Sequence, residues 1–151
     1  MIGVISDTHG LVRPEVFEIF KGVDLIIHAG DIGGIKVLEA LETIAPVKAV
    51  RGNNDRDAWA DPIPQDQVIE HGSHVLFVLH ELDHLDLDPG AADFSVVIYG
   101  HSHRPLAETK NGVLYLNPGS AGPRRFSLPI ALAKLHATSS GLVPEIIEIP
   151  K

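Results

Sequence analysis

The sequence contains no cysteine, one tryptophan, one methionine and two tyrosines in 151 residues. Without thiols there can be no disulfide and no thiolate ligand, so any metal must be held by nitrogen and oxygen. Long apolar runs are also missing. The apolar stretches are short and broken by glycine, histidine or charge, and none reaches the roughly 20 residues that span a bilayer. No basic stretch leads an apolar one at the start, so no secretory leader is expected; with the absent thiols, this makes the cytoplasm the expected location. Basic residues are scarce, 12 Lys and Arg against 20 Asp and Glu, for a net charge of −8 and a pI near 5.5. That balance, with no basic tract and no aromatic array, makes nucleic acid an unexpected partner.

Histidine, by contrast, is abundant, with nine in the chain. Apolar residues at 44% and charged residues at 21% fit one globular domain over residues 1–151 with a substantial core. IGVIS, VDLIIHAGD and VKAVRGNND read as buried strands. Between them, residues 13–21 and IKVLEALETI carry helical apolar spacing, with Pro14 in a first turn and Pro46 as a stop. That alternation predicts a parallel sheet. The second half reads as strands. DQVIEH and SHVLFVLH form a hairpin around Gly72, FSVVIYGHSH is a buried run, Asn111-Gly112 marks a second hairpin, and PIALAKLHA and GLVPEIIEIP close the chain.

One event recurs. An apolar run stops and a residue able to bind a metal follows: Asp7 and His9, Asp31, Asn53, His80, then His101 and His103. Asp7 and His9 are two apart, so in an extended segment they would point the same way. Loops at the carboxyl ends of strands converge on ligands in α/β folds. Seven nitrogen and oxygen donors at one sheet edge say more than any single motif. Among the other histidines, His84 is a weaker ligand candidate, His28 suits a place beneath the site, and His71, His74 and His136 suit structural or solvent-facing places.

The order Asp-x-His, Gly-Asp, Gly-Asn-x-Asp, His, Gly-His-x-His resembles the calcineurin-like metallophosphoesterases. The short length, with Asn117 to Ser120 (NPGS) after the last motif, resembles their small YfcE-like phosphodiesterase branch. The resemblance implies a four-layer α/β/β/α sandwich of two mixed β-sheets. It also implies two divalent transition-metal ions per chain, manganese first and nickel, cobalt, iron or zinc as substitutes. Asp7, His9 and His103 would bind one ion, Asn53, His80 and His101 the other, and Asp31 both. The implied reaction is hydrolysis of small phosphodiesters, with phosphomonoesters second, by a hydroxide bridging the ions, with Asp31, Asn53 and His101 closest to the chemistry. The fold by itself also admits a non-catalytic, metal-binding interaction scaffold, like the retromer subunit it resembles, although the complete donor set argues for chemistry. A homo-oligomer is compatible with this reading.

Two positions depart from the family pattern. Asn54 stands where larger phosphatases carry a general-acid histidine and cannot play that part near neutrality; this favours good leaving groups. Glu81 stands where a glycine follows the histidine, and is expected to bring bulk or charge beside the ions. Asp55 is expected to brace a ligand histidine or the Asn53 loop, and Arg56 to meet substrate phosphate. The short stretch between His80 and His101 is expected to reduce a sheet-covering helix to a turn.

Overall fold

Runs of β-branched and aliphatic residues become ten strands in two five-stranded sheets, in a computed structural model described over residues 1–150. β1 (Ile2–Ile5), β2 (Leu25–His28) and β3 (Val47–Ala49) are parallel, and the connections between them carry α1 (Pro14–Ile19) and α2 (Ile35–Glu42). β9 (Ile130–Thr138) adds to the free edge of β1 and β10 (Gly141–Ile149) to β9, both antiparallel, giving the order β10-β9-β1-β2-β3. β1 and β2 are buried at every position, as strands covered on both faces must be, and so read as unbroken apolar runs. Pro144 falls in the edge strand β10, where a missing N–H is tolerated.

The second sheet holds β4 (Asp66–His71), β5 (His74–Leu79), β6 (Val96–Ile98), β7 (Leu106–Lys110) and β8 (Val113–Asn117), in the order β4-β5-β6-β8-β7. Its three central strands are parallel, and its two edges are hairpin partners. Asn111 and Gly112 both have positive φ, 51° and 79°, the backbone that a tight two-residue hairpin requires.

An apolar layer joins the sheets, built from Val4, Ile27, Leu76, Ile98, Leu116 and Leu135, all fully buried. On the far side of the first sheet, Val16 and Phe20 from the α1 segment and Val37 and Leu41 from α2 pack on Ile5, Ile26 and Leu132. A Cβ at Gly3 would lie 2.9 Å from the Phe20 ring, so α1 sits closer to β1 than any side chain allows. The far side of the second sheet (Phe77, Leu79, Val97, Tyr99) is covered by Leu82, Leu85 and Phe94. This covering segment contains only a 3-10 turn, Leu82–His84. The fold is therefore the expected sandwich with its fourth layer reduced to a turn and loop.

Ile98→Ala should destabilise the protein by about 2–5 kcal/mol, the usual cost of emptying a buried aliphatic site. Val68→Ala, on the half-exposed β4 edge, should change stability by about 0.5 kcal/mol or less. Urea denaturation of both variants checks this pair.

Candidate metal centre

The loops after β1, β2, β3, β5 and β6 carry the seven proposed donors. Backbone hydrogen bonds extend the β1–β2 pairing into the first two loops: Asp7 N–H to Gly30 O (2.9 Å), His9 N–H to Asp31 O (3.0 Å) and Gly10 N–H to Ile32 O (2.8 Å). Asp7 and His9 do come together, but not as neighbours on one face of an extended strand. β1 ends at Ile5, and both residues are left-handed, with φ of 55° and 47°. Asp31, His101 and His103 are left-handed too, so among the described residues five of the eight non-glycine positions with positive φ belong to this set. Non-glycine residues adopt that region at a cost, and its concentration in one place is characteristic of functional sites.

The side chains meet at the seam between the sheets. Asp7 Oδ1 lies 3.4 Å from His103 Nε2, 3.8 Å from His80 Nε2 and 3.9 Å from His9 Nε2. Asp31 Oδ2 lies 3.3 Å from His80 Nε2 and 3.8 Å from His9 Nε2. The central place expected for Asp31 alone is thus shared with Asp7. Two clusters have metal-site dimensions, Asp7/His9/His103 and Asp7/Asp31/His80, each with ligand atoms within 4.8 Å of one another. The rings also fall into pairs, His9 with His103 (5.5 Å between centroids) and His80 with His101 (5.3 Å). Asn53 Oδ1 stands 3.3 Å from His101 Nδ1, which places these two donors together at the outer edge. Asp7, Asp31, His80 and His103 are buried, whereas Asn53 and His101 are exposed.

Asp7 Oδ1, His9 Nε2 and His80 Nε2 are buried and have no hydrogen-bond partner. Buried polar atoms without partners are rare and costly. Three converging on one point, two of them imidazole nitrogens and one a carboxylate oxygen, fit a divalent cation. Electrostatics agrees. Burial pushes the Asp7 carboxyl up, but His103, His80 and Ser6 outweigh it and hold it below its ordinary value. Burial likewise raises Asp31, and His80, the Asn54 N–H and His9 hold it well below the usual carboxylate range. Burial lowers His80, while Asp31, Asp7 and the Ala29 carbonyl raise it on balance. His80 Nδ1 donates to Ala29 O at 2.8 Å, so Nε2 is the nitrogen left facing the carboxylates.

The supporting residues have definite tasks. Asn54 holds Asp31 twice, backbone N–H to Oδ1 and Nδ2 to Oδ2, both at 3.0 Å. Asp55 braces loops rather than a histidine, accepting from Ile32, Gly33 and Gly52 N–H at 2.9–3.0 Å. Arg56 Nε donates to Asn53 O at 2.8 Å. Glu81 faces His101, and His84 is solvent-facing beside Glu81 and belongs to neither cluster. His136 pairs with Glu145 on the surface. The NPGS run serves the site: Asn117 Nδ2 donates to Gly100 O (3.2 Å) and Ser102 Oγ (3.1 Å), and Ser120 Oγ donates to Asp7 O (3.0 Å).

Three contributors escaped the sequence reading. Ser6 Oγ donates to Asp7 Oδ2 at 2.7 Å, and its place directly before the first carboxylate was the available clue. A Cβ at Gly100 would strike Ser6 Oγ and lie 2.7 Å from Asp7 Oδ2, so the bare backbone there lets the two sheets close on the carboxylate. Arg51 lines a cavity of about 590 Å³ beside the centre, together with Asn53, Arg56, Gln65, His80 and Glu81. Nothing in the sequence near Arg51 points to that cavity.

A strand-end metal-type centre at the seam of two mixed sheets defines a class, and comparison with known proteins agrees. The model of the calcineurin-like phosphoesterase superfamily domain matches residues 1–140. The chain belongs to that superfamily. It is 37% identical to a probable metallophosphoesterase of Methanothermobacter thermautotrophicus, over 97% of this chain and 91% of the relative. It is 28% identical to the phosphodiesterase YfcE of Escherichia coli, over 76% of each. A solved archaeal phosphodiesterase superimposes with a TM-score of 0.78 at 25% identity, over 98% of this chain and 99% of that one. Vps29 of Entamoeba histolytica, solved with zinc, superimposes with a TM-score of 0.73 over 97% and 98%; at 21% identity that likeness concerns the fold alone.

Beneath the centre, His28 is fully buried, with Nδ1 accepting from Gly30 N–H (3.1 Å) and Nε2 facing Thr8 Oγ1 (2.9 Å), while that hydroxyl donates to Ile32 O (2.8 Å). A second ring proton would meet the Gly30 N–H, and burial lowers the His28 pKa from 6.5 to about 4. The unfolded chain binds that proton below about pH 6.5. His28's contribution is therefore complete above pH 6.5 and should be lost as pH falls toward 4, by up to ~1.4 kcal/mol per pH unit. His80 acts in the opposite sense, but its contribution is already complete below pH 6.5. Urea titrations of metal-free protein from pH 7 to 4.5 should show the decline, and it should flatten in His28→Gln.

Proposed function

We propose that the protein is a phosphodiesterase that works with two divalent metal ions on small phosphate esters. The observation that carries this reading is the set of buried, unpartnered donors, Asp7 Oδ1, His9 Nε2 and His80 Nε2, between two pairs of imidazoles. Asp7, His9, Asp31 and His103 would hold one ion, and Asp31, Asn53, His80 and His101 the other. Manganese is the first choice, and the cytoplasm the proposed location. Bound ions supply a water nucleophile at neutral pH and positive charge for the phosphoryl oxygens. The protein supplies the rest. Asn54 locks the Asp31 carboxylate by two hydrogen bonds, fixing the group that would serve both ions. With its amide turned to Asp31, Asn54 offers no proton to a departing oxygen, which favours leaving groups that depart unprotonated.

The adjoining cavity supports a diester. Its volume of about 590 Å³ exceeds what a bare phosphate fills and leaves room for a second ester arm. Arg51 and Arg56 line it and form no ion pair among the described residues. Their charges would meet the phosphate of either ester, Arg56 from a side chain already anchored to the Asn53 carbonyl, and Glu81 is the group that disfavours the extra charge of a monoester.

Hydrolysis of an aryl phosphodiester should require added manganese and exceed that of the corresponding monoester; steady-state assays on metal-depleted protein, with metal restored, check this. A wide monoester preference would show that the leaving-group argument misreads the site.

Asp31→Ala should impair metal binding more than His101→Ala. The first removes a donor from both positions and a negative charge from between two cations; the second removes one neutral donor that water can replace. Calorimetric titration with manganese should show the first position surviving His101→Ala but not Asp31→Ala, with folding followed by circular dichroism. Two sites of near-normal affinity in Asp31→Ala would overturn the bridging role.

A further inference from the structure

We propose that Glu81 is a positioning residue for the outer metal position, holding the His101 ring so that Nδ1, and not Nε2, faces the ion. This rests on the two-ion reading above and concerns a residue that departs from the pattern the family resemblance implies. β5 ends at Leu79, and after His80 the chain stays extended at Glu81 (φ −112°, ψ 117°) before the 3-10 turn Leu82–His84. That backbone places Glu81 Oε1 3.4 Å from His101 Nε2 and Oε2 3.6 Å from His84 Nδ1. The carboxylate is thus placed between two imidazoles, one at the centre and one on the surface. Its side chain is 27% exposed, against 48% for His101 and 72% for His84.

The other ring of this pair already has its remote nitrogen occupied, since His80 Nδ1 donates to the Ala29 carbonyl. Among the described residues no carbonyl bonds to His101 Nε2, and the Glu81 carboxylate lies within 3.4 Å of it. At 3.4 Å the pair is in ion-pair contact without a formed hydrogen bond, and such contacts often tighten when a site is loaded. A carboxylate behind a metal-binding imidazole fixes the ring's tautomer and orientation and makes it a stronger donor.

The tautomer matters here because of Asn53. A neutral imidazole carries one ring proton. With that proton on Nδ1, His101 would donate to Asn53 Oδ1, 3.3 Å away, and the two donors meant for the outer ion would satisfy each other. Nε2 would then set a lone pair against the Glu81 carboxylate. With the proton on Nε2, the Glu81 contact is attractive, and Nδ1 and Asn53 Oδ1 face each other as two acceptors that a cation reconciles. Glu81 therefore favours the tautomer in which His101 and Asn53, 3.3 Å apart, turn two acceptors toward an ion instead of bonding to each other. A glycine at this position could not.

The test compares Glu81→Ala and Glu81→Gln with wild type. Calorimetric titration with manganese should show the second binding event weakened about tenfold or more in Glu81→Ala, the usual scale for losing such a support, and the first unchanged. Glu81→Gln keeps an oxygen acceptor without the charge and should lose clearly less. Long-range 1H–15N NMR of metal-free protein at pH 8 should find His101 protonated on Nε2 in wild type and on Nδ1 in Glu81→Ala. Glu81→Ala binding its second ion as tightly as wild type, or keeping the Nε2–H tautomer, would overturn the proposal. So would Glu81→Gln losing as much as Glu81→Ala, since charge alone would then be responsible. A wild-type protein that binds a single ion would instead overturn the two-ion reading, while the metal-free NMR comparison would still decide the Glu81–His101 contact.

Discussion

Two aspartates held almost out of water at the same point are the constraint around which this molecule is arranged. Asp7 and Asp31 are 0% and 3% exposed, and oxygens of both lie within 4.8 Å of each other and of His80. Like charges at that distance repel strongly in a medium of reduced dielectric, so each must be compensated. Ser6 and the His101 N–H take one oxygen of Asp7, and Asn54 takes both oxygens of Asp31. Imidazoles from both sheets stand around what is left. Asp55 and Asn117 tie together the loops that carry the donors, and the layer of Val4, Ile27, Leu76 and Ile98 sets the separation at which those loops meet.

The donors are not equivalent. His103 and His80 are buried, and His101 and Asn53 stand in solvent, so each buried imidazole is enclosed by packing while the exposed pair is placed by a few polar contacts. That exposed pair is where a single side chain such as the Glu81 carboxylate has the most leverage.

Much of this was legible in the sequence for a physical reason. Buried parallel strands must be apolar on both faces, so IGVI and LIIH could hardly be anything else, and Asn111-Gly112 could turn only one way. The donors were legible because ligands gather at the carboxyl ends of such strands. The left-handed backbone at Asp7 and His9 was not, since alternation describes extended chain and β1 had already ended. Nor was the inward turn of Asn54, which depends on Asp31, 23 residues away, or the approach of Gly100 to Ser6 and Asp7, 94 and 93 residues away. Pattern carries local direction; those contacts are made only when two sheets close on each other.

The left-handed residues of the centre also bear on how such a protein changes over generations. Asp7, Asp31, His101 and His103 occupy a backbone region that glycine enters without penalty and that other residues enter at a cost of about 1 kcal/mol or more. Folding and chemistry therefore pull in opposite directions at the same positions. Where selection on the reaction relaxes, replacement of either aspartate by glycine relieves strain and like-charge repulsion, at the loss of the hydrogen bonds that carboxylate accepts, while the apolar layer between the sheets stays intact. A lineage could lose its chemistry without losing the layer that holds the sheets together, and emerge with the same sandwich and a silent seam.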